Sequence, residues 1–144
     1  MYFAHLIESK GYKRALEIAK LAKSSIYNLH FHFYGSFGSS QDRKYFYSFI
    51  EDNDLQMVIS YHGFCNATER AKVFLNMDVL ILPTYSEGYP LTIMEAMSVG
   101  LPVLATDTGA IAEIINGNSR LIPSVDSEQE YMEACLIKLI DIIK

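Results

Sequence analysis

The segment Val79–Ile115, VLILPTYSEGYPLTIMEAMSVGLPVLATDTGAIAEII, leaves a chain few ways to fold. It reads as strand, loop, helix, strand, loop, helix with almost no residue to spare. Val79–Leu82 is a short apolar run closed by Pro83, the pattern of a strand buried on both faces. Thr84–Tyr89 is a polar loop in which Gly88 is expected to supply backbone freedom that a larger residue lacks. Pro90 suits the first helical position, where a missing N–H costs nothing. The helix it opens, about Leu91 to Val99, meets a stop signal at Gly100-Leu101-Pro102. Val103–Ala105 is a second buried strand, and Asp107-Thr108-Gly109 turns it into a further helix.

A helix that starts directly behind a parallel strand presents unpaired N–H groups, here around Leu91 and Thr92, and the positive end of its dipole. Such an end is an anion site, most often for phosphate. Glu87 stands before this helix and Glu95 lies within it. Helical side chains lean toward the N-terminus, so Glu95 points back to the same mouth. Two carboxylates repel a phosphate; they suit its hydroxyl-bearing neighbours, a ribose or a hexose.

The remaining chain repeats the same alternation. Tyr2–His5 is a short strand end, Leu6–Lys10 a loop, and Tyr12–Lys23 a helix with Ala15, Leu16, Ile18, Ala19 and Ala22 on its apolar face. Leu29–Tyr34 is a strand in which His30 and His32 alternate with Phe31 and Phe33; without an evident third ligand, half-exposed strand residues are the simpler reading than a metal site. Gly35–Ser40 is a glycine-rich loop without the Lys-Ser/Thr ending of a P-loop, followed by a helix over Gln41–Glu51. Met57–Tyr61 reads as the third strand, His62–Asn66 as a loop, Thr68–Met77 as a helix, Ser119–Ile122 as the sixth strand and Glu128–Lys144 as a closing helix. Six such alternations predict an α/β fold of three layers, an open parallel sheet of about six strands covered on both faces. Right-handed crossovers give the Rossmann-like order 3-2-1-4-5-6. Its switch point lies between strands one and four, where the loops carrying Lys10 and Glu87–Leu91 meet at the strands' carboxyl ends.

A length of 144 residues suits one domain, and 50% hydrophobic residues exclude a disordered chain. The net charge of −5 argues against a nucleic-acid partner. No apolar run approaches the roughly 20 residues that span a bilayer, and no signal peptide is visible. Cys65 and Cys135, far apart and outside any CxxC, read as reduced thiols, and a cytoplasmic location is expected.

Glu87 and Glu95, with seven residues between them and set in EGYPLTIMEAMSVGLPVLATDTGAIAEII, resemble the signature of the retaining family-four glycosyltransferases. The resemblance implies the GT-B architecture of two facing Rossmann-like domains. Residues 1–144 then form the C-terminal, nucleotide-sugar-binding domain, and the N-terminal acceptor domain is missing. It implies a UDP-, GDP- or ADP-sugar as donor substrate, a glycan or lipid-linked acceptor, no other cofactor and no metal. It would have Glu95 hold the ribose, Glu87 and the backbone of Gly88, Tyr89, Pro90 and Leu91 hold the sugar, Lys10 with Thr92 hold the diphosphate, and the loop with Gly63 and Phe64 meet the base. Lys10-Gly11 matches a family Lys-Gly, but His5 stands where the family carries arginine, so phosphate binding is expected to be weaker or pH-dependent. The full-length enzyme is expected to be a hexosyltransferase-like enzyme, peripheral at the inner membrane, and the isolated chain to be inactive and to form a homodimer through its open face. A nucleotide-sugar epimerase of the same architecture and a non-catalytic nucleotide-binding or interaction domain that keeps the fold are the rival readings.

Overall fold

The computed structural model describes residues 1–25, 27–115, 119–122 and 125–144. Its strands are β1 (Tyr2–Phe3), β2 (Phe31–Tyr34), β3 (Ile59–Gly63), β4 (Leu80–Leu82), β5 (Val103–Thr106) and β6 (Arg120–Ile122). Its helices are α1 (Tyr12–Lys23), α2 (Ser40–Asp52), α3 (Ala67–Leu75), α4 (Leu91–Ser98), α5 (Ile111–Ile114) and α6 (Glu128–Ile143). A 3-10 turn, Glu8–Lys10, occupies part of the loop expected after β1.

All strand pairs are parallel and fall into two sheets, β1-β2-β3 and β4-β5-β6. The sheets lie edge to edge: Ile81 N–H donates to Met1 O at 2.7 Å, and the Met1 amine donates to Val79 O at 2.6 Å. The resulting order is 3-2-1-4-5-6, as the alternation predicts.

Side-chain alternation along the strands divides the interior in two. Phe31, Phe33, Ile81, Leu104 and Ile122 face Leu16, Ile18, Phe46, Tyr131 and Leu139 of α1, α2 and α6. Phe3, Leu80, Leu82, Val103 and Ala105 face Phe74, Ile93, Ala96 and Ile111 of α3, α4 and α5. Each fully buried Leu or Phe contributes roughly 1.5–3 kcal/mol, so both faces hold the sheet. Cys65 belongs to the second cluster and Cys135 to the first; both are free thiols.

One strand starts later than its sequence suggests. Val58 and Ile59 N–H both turn back onto Leu55 O at 2.9 Å, which leaves Met57 88% exposed and moves the start of β3 to Ile59. His62 and Gly63 therefore belong to the strand, with a register irregularity opposite Phe33 and Tyr34.

Candidate functional site

The carboxyl ends of β1 and β4 converge because glycine lets their loops touch. Gly11 has φ +75°, and a Cβ there would lie 1.9 Å from Pro83 O. Gly109, at φ +56°, packs against the Glu87 carbonyl, 2.0 Å from where its Cβ would be. Gly88, by contrast, has no positive φ, and a Cβ there would meet nothing within 4 Å. The expected need for backbone freedom at Gly88 is thus corrected: the close approaches are made by Gly11 and Gly109.

Buried polar side chains then pin the two loops. The Thr84 hydroxyl, wholly buried, lies 2.9 Å from both Ser9 O and Ser86 O, and Tyr85 N–H donates to Ser9 O at 3.0 Å. The buried Tyr2 hydroxyl lies 2.8 Å from His5 O and 3.2 Å from Lys10 O. These bonds bring Lys10 Nζ within 2.9 Å of Glu87 Oε2 across 77 residues of sequence. On the far side, Arg14 forks onto Glu128, donating from Nε at 2.7 Å and from Nη2 to Oε1. Its guanidinium is sandwiched between Tyr85, 3.6 Å from the ring centroid, and Tyr131, at 4.0 Å. The Arg14 hydrogen bond holds the Glu128 carboxyl below its usual range.

Two adjoining cavities, about 160 and 170 Å³, open at this end of the sheet and share Ala4, His5 and Thr92. One is completed by Gly35, Ser36, Phe64, Cys65 and Arg70. The other is completed by Lys10, Leu82, Glu87, Tyr89, Pro90 and Leu91. A larger cavity, about 220 Å³, lies at the opposite, amino ends of β2 and β4; no helix N-terminus faces that end in a parallel sheet, so ligand chemistry favours the smaller pair.

Helix ends distinguish the cleft further. Ser39, Asn66 and Ser127 cap α2, α3 and α6 by accepting from the N–H three residues on; Asn66, which sits in an Asn-Ala-Thr tripeptide, is thereby occupied as a cap. α1 begins at Gly11 and α4 at Pro90 without a side-chain cap. The expectation of open donors at Leu91 and Thr92 holds for one of them. Leu91 N–H bends back to Tyr89 O at 2.9 Å, whereas no hydrogen bond from Thr92 N–H occurs among the described residues.

The sequence-predicted residues thus fall as follows. Lys10, His5, Glu87, Tyr89, Pro90, Leu91 and Thr92 line one cavity, and Phe64, 74% exposed, lines the other. Gly63 ends β3 just ahead of Phe64, at φ +74°. Glu95 stands beside this group, bound by Arg70, whose Nη1 is 2.8 Å from each carboxylate oxygen. Each acid carries its own cation, Glu87 that of Lys10 and Glu95 that of Arg70. Arg70, Thr84, Tyr2 and the Arg14–Glu128 clamp were not singled out in the sequence. The only available signal for Arg70 was its i, i+4 spacing to the buried Phe74.

His30, His32 and His62 meet on the open face of β2 and β3. His32 Nδ1 lies 2.9 Å from His62 Nε2, and His62 stacks on Tyr34 at 4.5 Å between ring centroids. Burial lowers the pKa of both His32 and His62, and the neighbouring imidazoles add to it. No group of His, Cys, Asp and Glu among the described residues has metal-holding geometry.

The sequence profile of the family described as Glycosyl transferases group 1 matches residues 1–140. The chain is 28% identical over 142 residues to the amylovoran biosynthesis glycosyltransferase AmsK of Erwinia amylovora, covering 94% of this chain and 34% of that protein. It is 37% identical over 68 residues to the D-inositol 3-phosphate glycosyltransferase of Paenarthrobacter aurescens, covering 47% of this chain and 17% of that protein. The crystal structure of the pneumococcal O-GlcNAc transferase GtfA, in complex with UDP and GlcNAc, superposes with a TM-score of 0.84 at 24% identity, over 99% of this chain and 28% of that one. The chain spans about a third or less of the length of each of these proteins.

Proposed function

Because the chain belongs to the glycosyl transferases group 1 family, we propose that its cleft binds a nucleoside-diphosphate sugar as the donor half of a longer glycosyltransferase. In that enzyme a facing acceptor domain receives the sugar with its anomeric configuration retained. The observation that carries this reading is the meeting of Lys10 and Glu87 at the sheet's switch point, 2.9 Å apart and beside the uncapped start of α4. A cation and an open helix end suit a diphosphate, and a carboxylate next to them suits the hydroxyls of the sugar attached to it.

In this reading Lys10, His5 and the Thr92 N–H neutralise the leaving diphosphate. Glu87 and the Gly88–Leu91 backbone orient the hexose. Glu95 accepts from the ribose hydroxyls, and Phe64 with Gly63 meets the base. The chain contributes orientation and electrostatic stabilisation of developing charge, without an enzyme nucleophile. The base is uracil, guanine or adenine, and the solved structure of a structural neighbour contains UDP.

Calorimetry with UDP, GDP, ADP and their sugars tests the proposal. One of the three series should bind, and Glu95→Ala should weaken it at least tenfold, since charge-assisted hydrogen bonds are worth roughly 1.5–3 kcal/mol each. Lys10→Ala should weaken the diphosphates and spare the nucleoside. A wild-type chain that binds none of them would remove the donor-site reading.

A further inference from the structure

We infer that Arg70, on α3, is a positioning residue that sets the Glu95 carboxylate for a ribose diol and so makes the cleft discriminate ribonucleotides from deoxyribonucleotides. The inference rests on the proposed role of Glu95.

Two of the arginine–carboxylate pairs among the described residues are built in different ways. Arg14 meets Glu128 side-on, with Nε and Nη2 each serving one oxygen. That is the fork geometry of a structural clamp, and it uses the donors nearest the stem. Arg70 meets Glu95 end-on, with Nη1 alone donating to Oε1 and Oε2 at 2.8 Å each. Its Nε is buried and has no hydrogen-bond partner among the described residues. A side-on approach would satisfy Nε, so the end-on one leaves a buried donor unmade, a feature that calls for a reason.

The reason lies in where the guanidinium stands. Arg70 shares a helix face with Phe74, four residues on, which is buried at the sheet. Its guanidinium lies 5.2 Å from the Phe3 ring centroid and lines the cavity with His5, Ser36, Phe64 and Thr92. From there the end-on contact occupies one acceptor site on each Glu95 oxygen from a single direction. One acceptor site remains on each oxygen, the requirement for receiving two vicinal hydroxyls at once. The carboxylate is also held in one plane before a ligand arrives, which lowers the ordering cost of binding.

The test measures the affinities of UDP, GDP and ADP, each beside its 2′-deoxy counterpart, for the wild type, Arg70→Gln and Arg70→Lys. The wild type should prefer the ribonucleotide at least tenfold. Arg70→Gln should lose about tenfold on the ribonucleotide and less than twofold on the deoxy form, so that the preference collapses. Arg70→Lys should recover part of it, because one nitrogen makes both bonds. Equal losses on both forms, or a wild-type ratio in Arg70→Gln, would overturn the inference while leaving donor binding intact. A wild type that binds ribo and deoxy forms equally overturns both this inference and the ribose role of Glu95. A wild type that binds no nucleotide overturns donor binding as well.

Discussion

Thr84 has one hydroxyl proton and two carbonyls within 2.9 Å, Ser9 O and Ser86 O, in a fully buried setting. Valine has nearly the same shape and no hydroxyl. Thr84→Val should therefore cost about 1–3 kcal/mol in urea unfolding and weaken nucleotide binding through the Lys10–Glu87 loops, while Thr84→Ser stays near wild type. A Thr84→Val protein of unchanged midpoint would mean the loops are held elsewhere. The histidine cluster supplies a pH test. His32 and His62 are both lowered by burial first and by neighbouring imidazole charge second. Below the ordinary imidazole value of about 6.5 the unfolded chain holds more protons than the folded one. The stability these two histidines contribute should therefore be complete above that pH, fall as pH drops through it, and level off below the depressed folded values. The Met1 amine, lowered to about 5 by burial, titrates over the same range, so the histidine share is the difference between wild type and His62→Gln. Glu128, held low by Arg14, loses its contribution only at carboxylate pH, outside this window. Urea midpoints at several pH values between 8 and 5.5 should show the decline in wild type and a smaller one in His62→Gln; parallel curves would count against the account.

At the scale of elements, α3 shows how little anchors the helix that carries Arg70. Phe74 is its only fully buried side chain, set edge-on against Phe3 with ring centroids 5.0 Å apart. Phe74→Ala should destabilise the protein by about 3–5 kcal/mol, and hydrogen exchange should show α3 loosened more than α1, whose six buried residues hold it independently. Uniform loosening would mean α3 is coupled to the whole sheet. Legibility follows the same division. α1 was readable to the residue because its apolar face repeats with helical period and Gly11 precedes it. β3 was placed two residues early because Met57 and Val58 are apolar enough to read as strand; the turn onto Leu55 depends on backbone bonds that periodicity does not encode. The meeting of Glu87 and Lys10 at the switch point was legible through their motifs, whereas the pairing of Arg70 with Glu95 was not, because a lone arginine in a helix carries no local mark of what it faces.

For the whole molecule, no helix among the described residues is long and apolar enough to cross a membrane. The cleft is open on the side where Phe64, Tyr89 and Leu91 are exposed. Transfer needs an acceptor hydroxyl held about 3–3.5 Å from the anomeric carbon. The 144-residue chain should therefore bind its donor and give no acceptor-dependent product with labelled UDP-sugars and glycan or lipid acceptors; robust turnover would show that it holds an acceptor by itself. The sequence alone determined which segments are strands and helices, their parallel order and the end of the sheet where ligands meet, because apolar period, glycine, proline and crossover handedness are local or nearly local constraints. Only the tertiary structure decided how the charges pair. Lys10 with Glu87 and Arg70 with Glu95 are 77 and 25 residues apart, and a side chain's partner over such distances is set by how the packed loops and helices aim it.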